Sequence, residues 1–142
     1  MSNPVIIVPC GAAKLTHAAP ARELYTGPYH RACLGWALSV APSERCVILS
    51  ARYGFVKLDQ VIAPYDLRMG RPGSATVSLL RGQATLLHIL DGPVIALGGA
   101  AYIQRCKAIW PWVACPLGRY GGMFRQIEKL NHNLGCMPDQ WT

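Results

Sequence analysis

The sequence predicts an open α/β fold: a mostly parallel four-stranded sheet with helices on both faces, Rossmann-like in its three layers. Two observations carry this. Short apolar runs alternate with longer segments whose apolar residues recur at helical spacing. Each apolar run then ends in a glycine-containing turn, as a strand does where it hands over to a crossover helix. The 142 residues suffice for one domain, residues 1–142, with its own core.

The elements follow in order. "PVIIVPCG" is a buried strand stopped by Pro9 and Gly11. "PYHRACLGWALSVAP" places Ala32, Leu34, Trp36, Ala37, Leu38 and Val40 on a helical period, so a helix is expected from about Pro28 to Val40. Pro28 suits its first turn. "RCVILSA" is the second strand, and Arg52 to Arg71 reads as a long connection. "GSATVSLLRGQATLLHILDG" is a helix with Ser74 as N-cap and Gly92 as stop. "PVIALGG" is the third strand, "AAYIQRCKAIW" a helix, and "WVACPLG" a short fourth strand. "GGMFRQIEKLNHNLG" closes the fold as a helix ended by Gly135, with "CMPDQWT" as a tail.

Composition narrows the function. Apolar residues make up 51% and charged residues 15%, which argues against disorder. No apolar run is long enough for a bilayer, and no secretory signal is read at the N-terminus. The six cysteines form no CxxC pair and no zinc-finger spacing. The expectation is a reduced, cytoplasmic protein with no membrane partner, no metal site and no cofactor. Fourteen Lys+Arg against seven Asp+Glu give a net charge of +7. That favours an anionic partner, and nucleic acid is the commonest large one.

In open α/β sheets the ligand sits beyond the carboxyl ends of the strands. The loops leaving the four expected strands are "PCGAAK", "SARYG…APYDL", "LGGAAY" and "PLGRYGG". The first offers Cys10, a thiolate nucleophile where a cation stabilises it, and Lys14, a phosphate contact or an amine nucleophile. "ELYTG" brings Thr26 to the start of the first helix, where free N–H groups attract anions. His17 and His30 are secondary candidates there. Gly98 and Gly99 make a tight turn into a helix that carries Tyr102, although no GxGxxG or P-loop is present. Arg119, Tyr120 and Gly121 repeat the device, with Arg125 one turn further on; arginine beside tyrosine suits a phosphodiester and a stacked base.

The long connection is the richest stretch. "LSARYGFVKLDQVIAPYDLRMG" presents Ser50, Arg52, Tyr53, Gly54, Asp59, Tyr65 and Asp66 in succession. Long connections in compact domains are usually functional. A carboxylate there can accept a proton, orient a water or stabilise an oxocarbenium-like sugar. A tyrosine can stack on a base and hydrogen-bond it.

These residues resemble the YaaA superfamily, which includes the peroxide-stress YaaA proteins and small phage and actinobacterial relatives. The matching pieces are "PCGAAKL", "LYTG" and the long connection, with Leu49, Ser50, Tyr53, Gly54, Asp59, Pro64, Tyr65, Leu67 and Met69 in the family pattern. The DNA-binding insertion of the longer YaaA proteins is absent. The "PCxxxK" element also resembles the segment of archaeosine synthases in which a lysine modifies a 7-deazaguanine base. Both resemblances imply action on, or binding to, a nucleobase in nucleic acid.

The resulting expectation is an enzyme of DNA repair or modification: a DNA glycosylase that hydrolyses the N-glycosidic bond of a modified or damaged base flipped from the stack. DNA is favoured over RNA. Asp66 is the first catalytic candidate and Asp59 the second; Lys14 and Cys10 complete the set. Ser50, Arg52, Tyr53, Gly54, Tyr65, Thr26, Gly98, Gly99, Tyr102, Arg119, Tyr120, Gly121 and Arg125 are expected to bind substrate. Alternatives are a base-modifying enzyme of 7-deazaguanine type, a non-catalytic DNA-binding protein, and a nucleoside or nucleotide hydrolase.

Overall fold

A computed structural model of the chain describes residues 4–119 and 122–131. In chain order the elements are β1 (Val5–Pro9), β2 (Ala19–Pro20), α1 (Ala21–Leu24), α2 (Pro28–Val40), β3 (Cys46–Ser50), β4 (Gly54–Lys57), β5 (Val61–Ile62), α3 (Val77–Leu86), β6 (Val94–Ala96), α4 (Ala100–Ile109) and α5 (Met123–Asn131). Short 3-10 turns occupy Ser43–Arg45 and Pro116–Arg119.

The main sheet has the order β4-β3-β1-β6. β1 runs parallel to both β3 and β6, and β4 runs antiparallel to β3. All residues of β1, β3 and β6 are buried. A parallel strand covered on both faces needs such an unbroken apolar run. α2 packs against β1 and α5, while α3 packs against β4 and α4. The mostly parallel α/β sheet predicted from the sequence is therefore present.

β1 lies between strands that the chain reaches in opposite directions, β3 by way of α2 and β6 by way of α3. With right-handed crossovers the chain leaves β1 and β6 toward opposite faces. A crevice must open beyond their carboxyl ends, where the first loop and the Gly98–Gly99 turn diverge.

Two of the expected elements take a different form in the structure. The segment expected as the fourth strand contributes a single parallel bridge, Ala114 to Ile95, before Pro116–Arg119 coils into a 3-10 turn. The fourth place in the sheet belongs to β4, inside the stretch that reads as a connection. A tight turn at residues 51–53 sends the chain straight back along β3, with Gly54 at φ +78°. The second difference is at α3. Its N-cap is Thr76, whose Oγ1 accepts from Leu79 N at 3.2 Å, and not Ser74. Ser74 instead pins the preceding turn, accepting from Gly70 N and donating to Arg71 O. α3 stops at Leu86 because His88 turns left-handed (φ 59°), before Gly92 is reached.

The Gln83 carboxamide locks the β3–β4 turn from α3. Its Oε1 accepts from Phe55 N at 2.8 Å and its Nε2 donates to Tyr53 O at 2.9 Å. The amide lies across Gly54, where any Cβ would overlap it. A second, two-stranded antiparallel sheet joins β2 to β5, pairing Ala19 with Ile62 and Pro20 with Val61.

Candidate functional site

A cavity of about 610 Å³ opens beyond the carboxyl ends of β1 and β6. Five segments wall it: residues 9–14 after β1, residues 27–30 at the start of α2, residues 66–68, Gly99 and Tyr102 at the start of α4, and Gly122 and Gln126 around the start of α5. Three helices thus begin at this cavity, each immediately preceded by a glycine. Gly27 and Gly99 cap α2 and α4 with no side-chain hydrogen bond. The positive ends of these helix dipoles therefore lie at the cavity wall, a setting that favours an anion.

The reactive side chains converge on the same space. Cys10 Sγ lies 3.0 Å from Tyr102 Oη. Burial, with Cys10 adding to it, pushes the Tyr102 phenol above its ordinary range. The close approach depends on Gly98 (φ +121°), where a Cβ would stand 3.1 Å from Pro9 Cβ and 3.2 Å from Tyr102 Cβ. Lys14 is half-buried. Its Nζ donates to Ala12 O at 3.2 Å and lies 4.3 Å from the centroid of the Tyr65 ring and 5.8 Å from that of Tyr25. Burial lowers the Lys14 pKa, opposed by the nearby Cys10 and Asp66.

Behind Lys14 stands a hydroxyl cluster. Tyr65 Oη hydrogen-bonds both Tyr25 Oη, at 2.7 Å, and Ser50 Oγ, at 2.9 Å, and Ser50 Oγ also accepts from Tyr53 N at 3.0 Å. Burial pushes the Tyr25 phenol up to about 12 and the Tyr65 phenol higher still. These groups hold their protons at neutral pH and act as a rigid polar backing. His30, in the first turn of α2, is buried. Its Nδ1 is 2.7 Å from Pro9 O, and because a carbonyl only accepts, Nδ1 carries the proton. Nε2 has no hydrogen-bond partner among the described residues.

The candidates from the sequence thus separate. Cys10, Lys14, Asp66, Gly99 and Tyr102 line the cavity. Ser50 and Tyr65 form its backing, and Tyr53 extends it, with its ring edge-on to Tyr65 and its Oη donating to Ala63 O. Gly98 permits close packing at the crevice, whereas Gly54 serves the β3–β4 turn. Arg52, Thr26 and Arg125 are exposed and do not line the cavity; Arg52 leans over the Tyr53 ring at 5.8 Å. Asp59 is elsewhere. β4 has carried the chain back to the amino end of β3, and Asp59 borders a second hollow of about 500 Å³ with Arg22, Cys46 and Lys57. Tyr120 and Gly121 lie outside the described residues, as does the Arg119 side chain; Arg119 itself ends the 3-10 turn.

Arg68, Tyr29 and Gln126 line the cavity without having been singled out from the sequence. Tyr29 Oη donates to Gln126 Oε1 and so ties α2 to α5 at the rim. Arg68 had one available signal, its position two residues after Asp66 in the same loop. Nothing local marks Gln126, since its partner is 97 residues away. Among the described residues no group of three or more His, Cys, Asp or Glu side chains is arranged to hold a metal ion, and no helix is long and apolar enough to cross a membrane.

Sheet order and cavity together define an α/β protein with a crevice at the topological switch point. The chain belongs to the family of unknown function DUF6884, whose pattern matches residues 5–121. The match takes in every cavity segment except the start of α5. An uncharacterized protein, YfjM, of Bacillus subtilis (strain 168) is 30% identical over 138 residues, covering 88% of this chain and 91% of its own length. No solved structure matches the chain.

Proposed function

We propose that this protein is a DNA glycosylase that hydrolyses the N-glycosidic bond of a modified or damaged nucleotide. The observation that carries the reading is the meeting of Lys14, Asp66, Cys10 and Tyr102 in one cavity of about 610 Å³, room for a base with its sugar, at the rim where three helices begin. Such a target must leave the stack to be reached. Its phosphates would meet Arg68 and the helix starts, whose N–H groups and dipoles suit negative charge. Asp66, exposed at the mouth, would orient a water and accept its proton. The water oxygen bonds to C1′ as the C1′–N bond breaks, and the electron pair leaves with the base. The partly buried phenol of Tyr102, now turned toward Cys10, would be a neutral donor for that departing ring. The YaaA-like residues Ser50, Tyr53 and Tyr65 support the reading as the backing of the same cavity.

A panel of duplexes bearing damaged and hypermodified bases, incubated with the protein, treated with alkali and read by mass spectrometry, tests this. Release of a base with an alkali-labile abasic site is expected. Intact strands across the panel would overturn it. One observation favours a second reading, hydrolysis of a free nucleotide: three helix starts around one cavity also suit a terminal phosphate. Turnover of mononucleotides by a protein with no affinity for DNA would select that reading.

A further inference from the structure

We infer that Lys14 is an amine nucleophile that forms an imine with the C1′ aldehyde of an abasic deoxyribose, so that the protein also cleaves strands at abasic sites. The choice of DNA rests on the function proposed above; the amine chemistry rests on the surroundings of Lys14.

The sequence has four lysines, and only Lys14 lines the main cavity. Lys57 borders the second hollow, Lys107 is exposed in the last turn of α4, and Lys129 belongs to the last turn of α5. The Lys14 backbone is held firmly. It bridges Tyr25, and hydrogen bonds from Leu15 N to Leu24 O and from Thr26 N to Ala13 O flank it. An ammonium group has three protons to place. Here Nζ has the Ala12 carbonyl and the faces of two tyrosine rings, while Asp66 stands near enough to interact through its charge. Burial further favours loss of the proton. The amine is thus positioned inside a cavity of nucleotide size, with a carboxylate in the same wall.

The step balances without an outside oxidant or reductant. The neutral amine adds to C1′, the carbonyl π pair moves to oxygen, and the carbinolamine takes up a proton and loses water to give the protonated imine. The Asp66 carboxylate removes a C2′ proton; the released pair forms a new carbon–carbon double bond as the C3′–O bond breaks, and the 3′ phosphate departs with that bonding pair. Water then hydrolyses the imine and frees Lys14.

The test uses a duplex containing a single preformed abasic site, incubated with the full chain and sodium cyanoborohydride. The expected result is a covalent protein–DNA adduct in the wild type, mapped by tryptic peptides to Lys14 with loss of cleavage after that residue. Lys14→Arg should lose adduct on the order of tenfold or more while still binding the duplex; Lys57→Arg should lose none. No adduct from a wild-type protein that binds the duplex, an adduct on another residue, or undiminished trapping in Lys14→Arg would each overturn the inference. Mapping on the wild type decides even if Lys14→Arg fails to fold. The abasic duplex carries no base to release, so a negative substrate panel leaves this result standing. Base release without an adduct overturns the amine chemistry alone.

Discussion

Lys14 Nζ rests 4.3 Å from the centroid of the Tyr65 ring, and the hydroxyl of that ring hydrogen-bonds Ser50 at the end of β3. The amine on the first loop is thereby aligned by a tyrosine from the long connection, and the tyrosine by the sheet. Tyr65→Phe keeps the ring under Lys14 but withdraws a partner from Ser50 and Tyr25, both fully buried. It should cost about 1–3 kcal/mol of stability in urea denaturation. A change of only a few tenths would mean that the two hydroxyls satisfy each other.

Gly54→Ala should be more damaging. The residue sits at φ +78°, and a Cβ would overlap the Gln83 carboxamide. A loss of about 2 kcal/mol or more is expected. Gln83→Ala removes the overlap but leaves Phe55 N and Tyr53 O without their partner. The double variant should lose less than the sum of the two singles, and additive losses would show that the contact does not set the cost.

His30 predicts a pH dependence. Burial holds its pKa below the ordinary histidine value. The unfolded chain therefore takes up a proton at about pH 6.5, where the native protein still resists it. Stability should be full above that value and fall as the pH drops toward the lowered native pKa. Urea midpoints measured from about pH 8 down to about pH 5 check this, and His30→Gln should flatten the decline. An equally steep decline in that variant would assign it to other groups.

For the glycosylase proposed above, Asp66→Asn should fold and keep its DNA affinity while losing base release, since the amide cannot take a proton from water. Wild-type rates would remove Asp66 from the mechanism.

If the proposed DNA contact holds, Arg68→Ala should weaken DNA binding and lower the slope of log affinity against log salt by about 0.9. An unchanged slope would remove Arg68 from phosphate contact.

Much of this was legible in the sequence because it rests on local pattern. The unbroken apolar runs of β1 and β3, the period of α2 beginning at Pro28, and the Gly98–Gly99 turn all read directly. The rule that ligands lie beyond the strand ends then points to Cys10, Lys14 and Tyr102. β4 was not legible: a four-residue strand after a three-residue turn carries little pattern of its own, and Gln83, far along the chain, secures it. That same reversal separates Asp59 from Asp66. They are seven residues apart in sequence, yet β4 delivers the first to the amino end of the sheet, and the chain must pass through β5 before the second reaches the cavity.

The small β2–β5 ladder has an evolutionary consequence. It fastens the segment bearing Lys14 to the segment bearing Tyr65 and Asp66 by paired backbone, through Ala19 and Ile62. Neither loop can lengthen or shorten between its anchor and its functional residues without shifting the other. Diversification of the cavity should therefore proceed by exchanging side chains within both loops together, and any transplant of it onto another scaffold must carry the pair as one cassette.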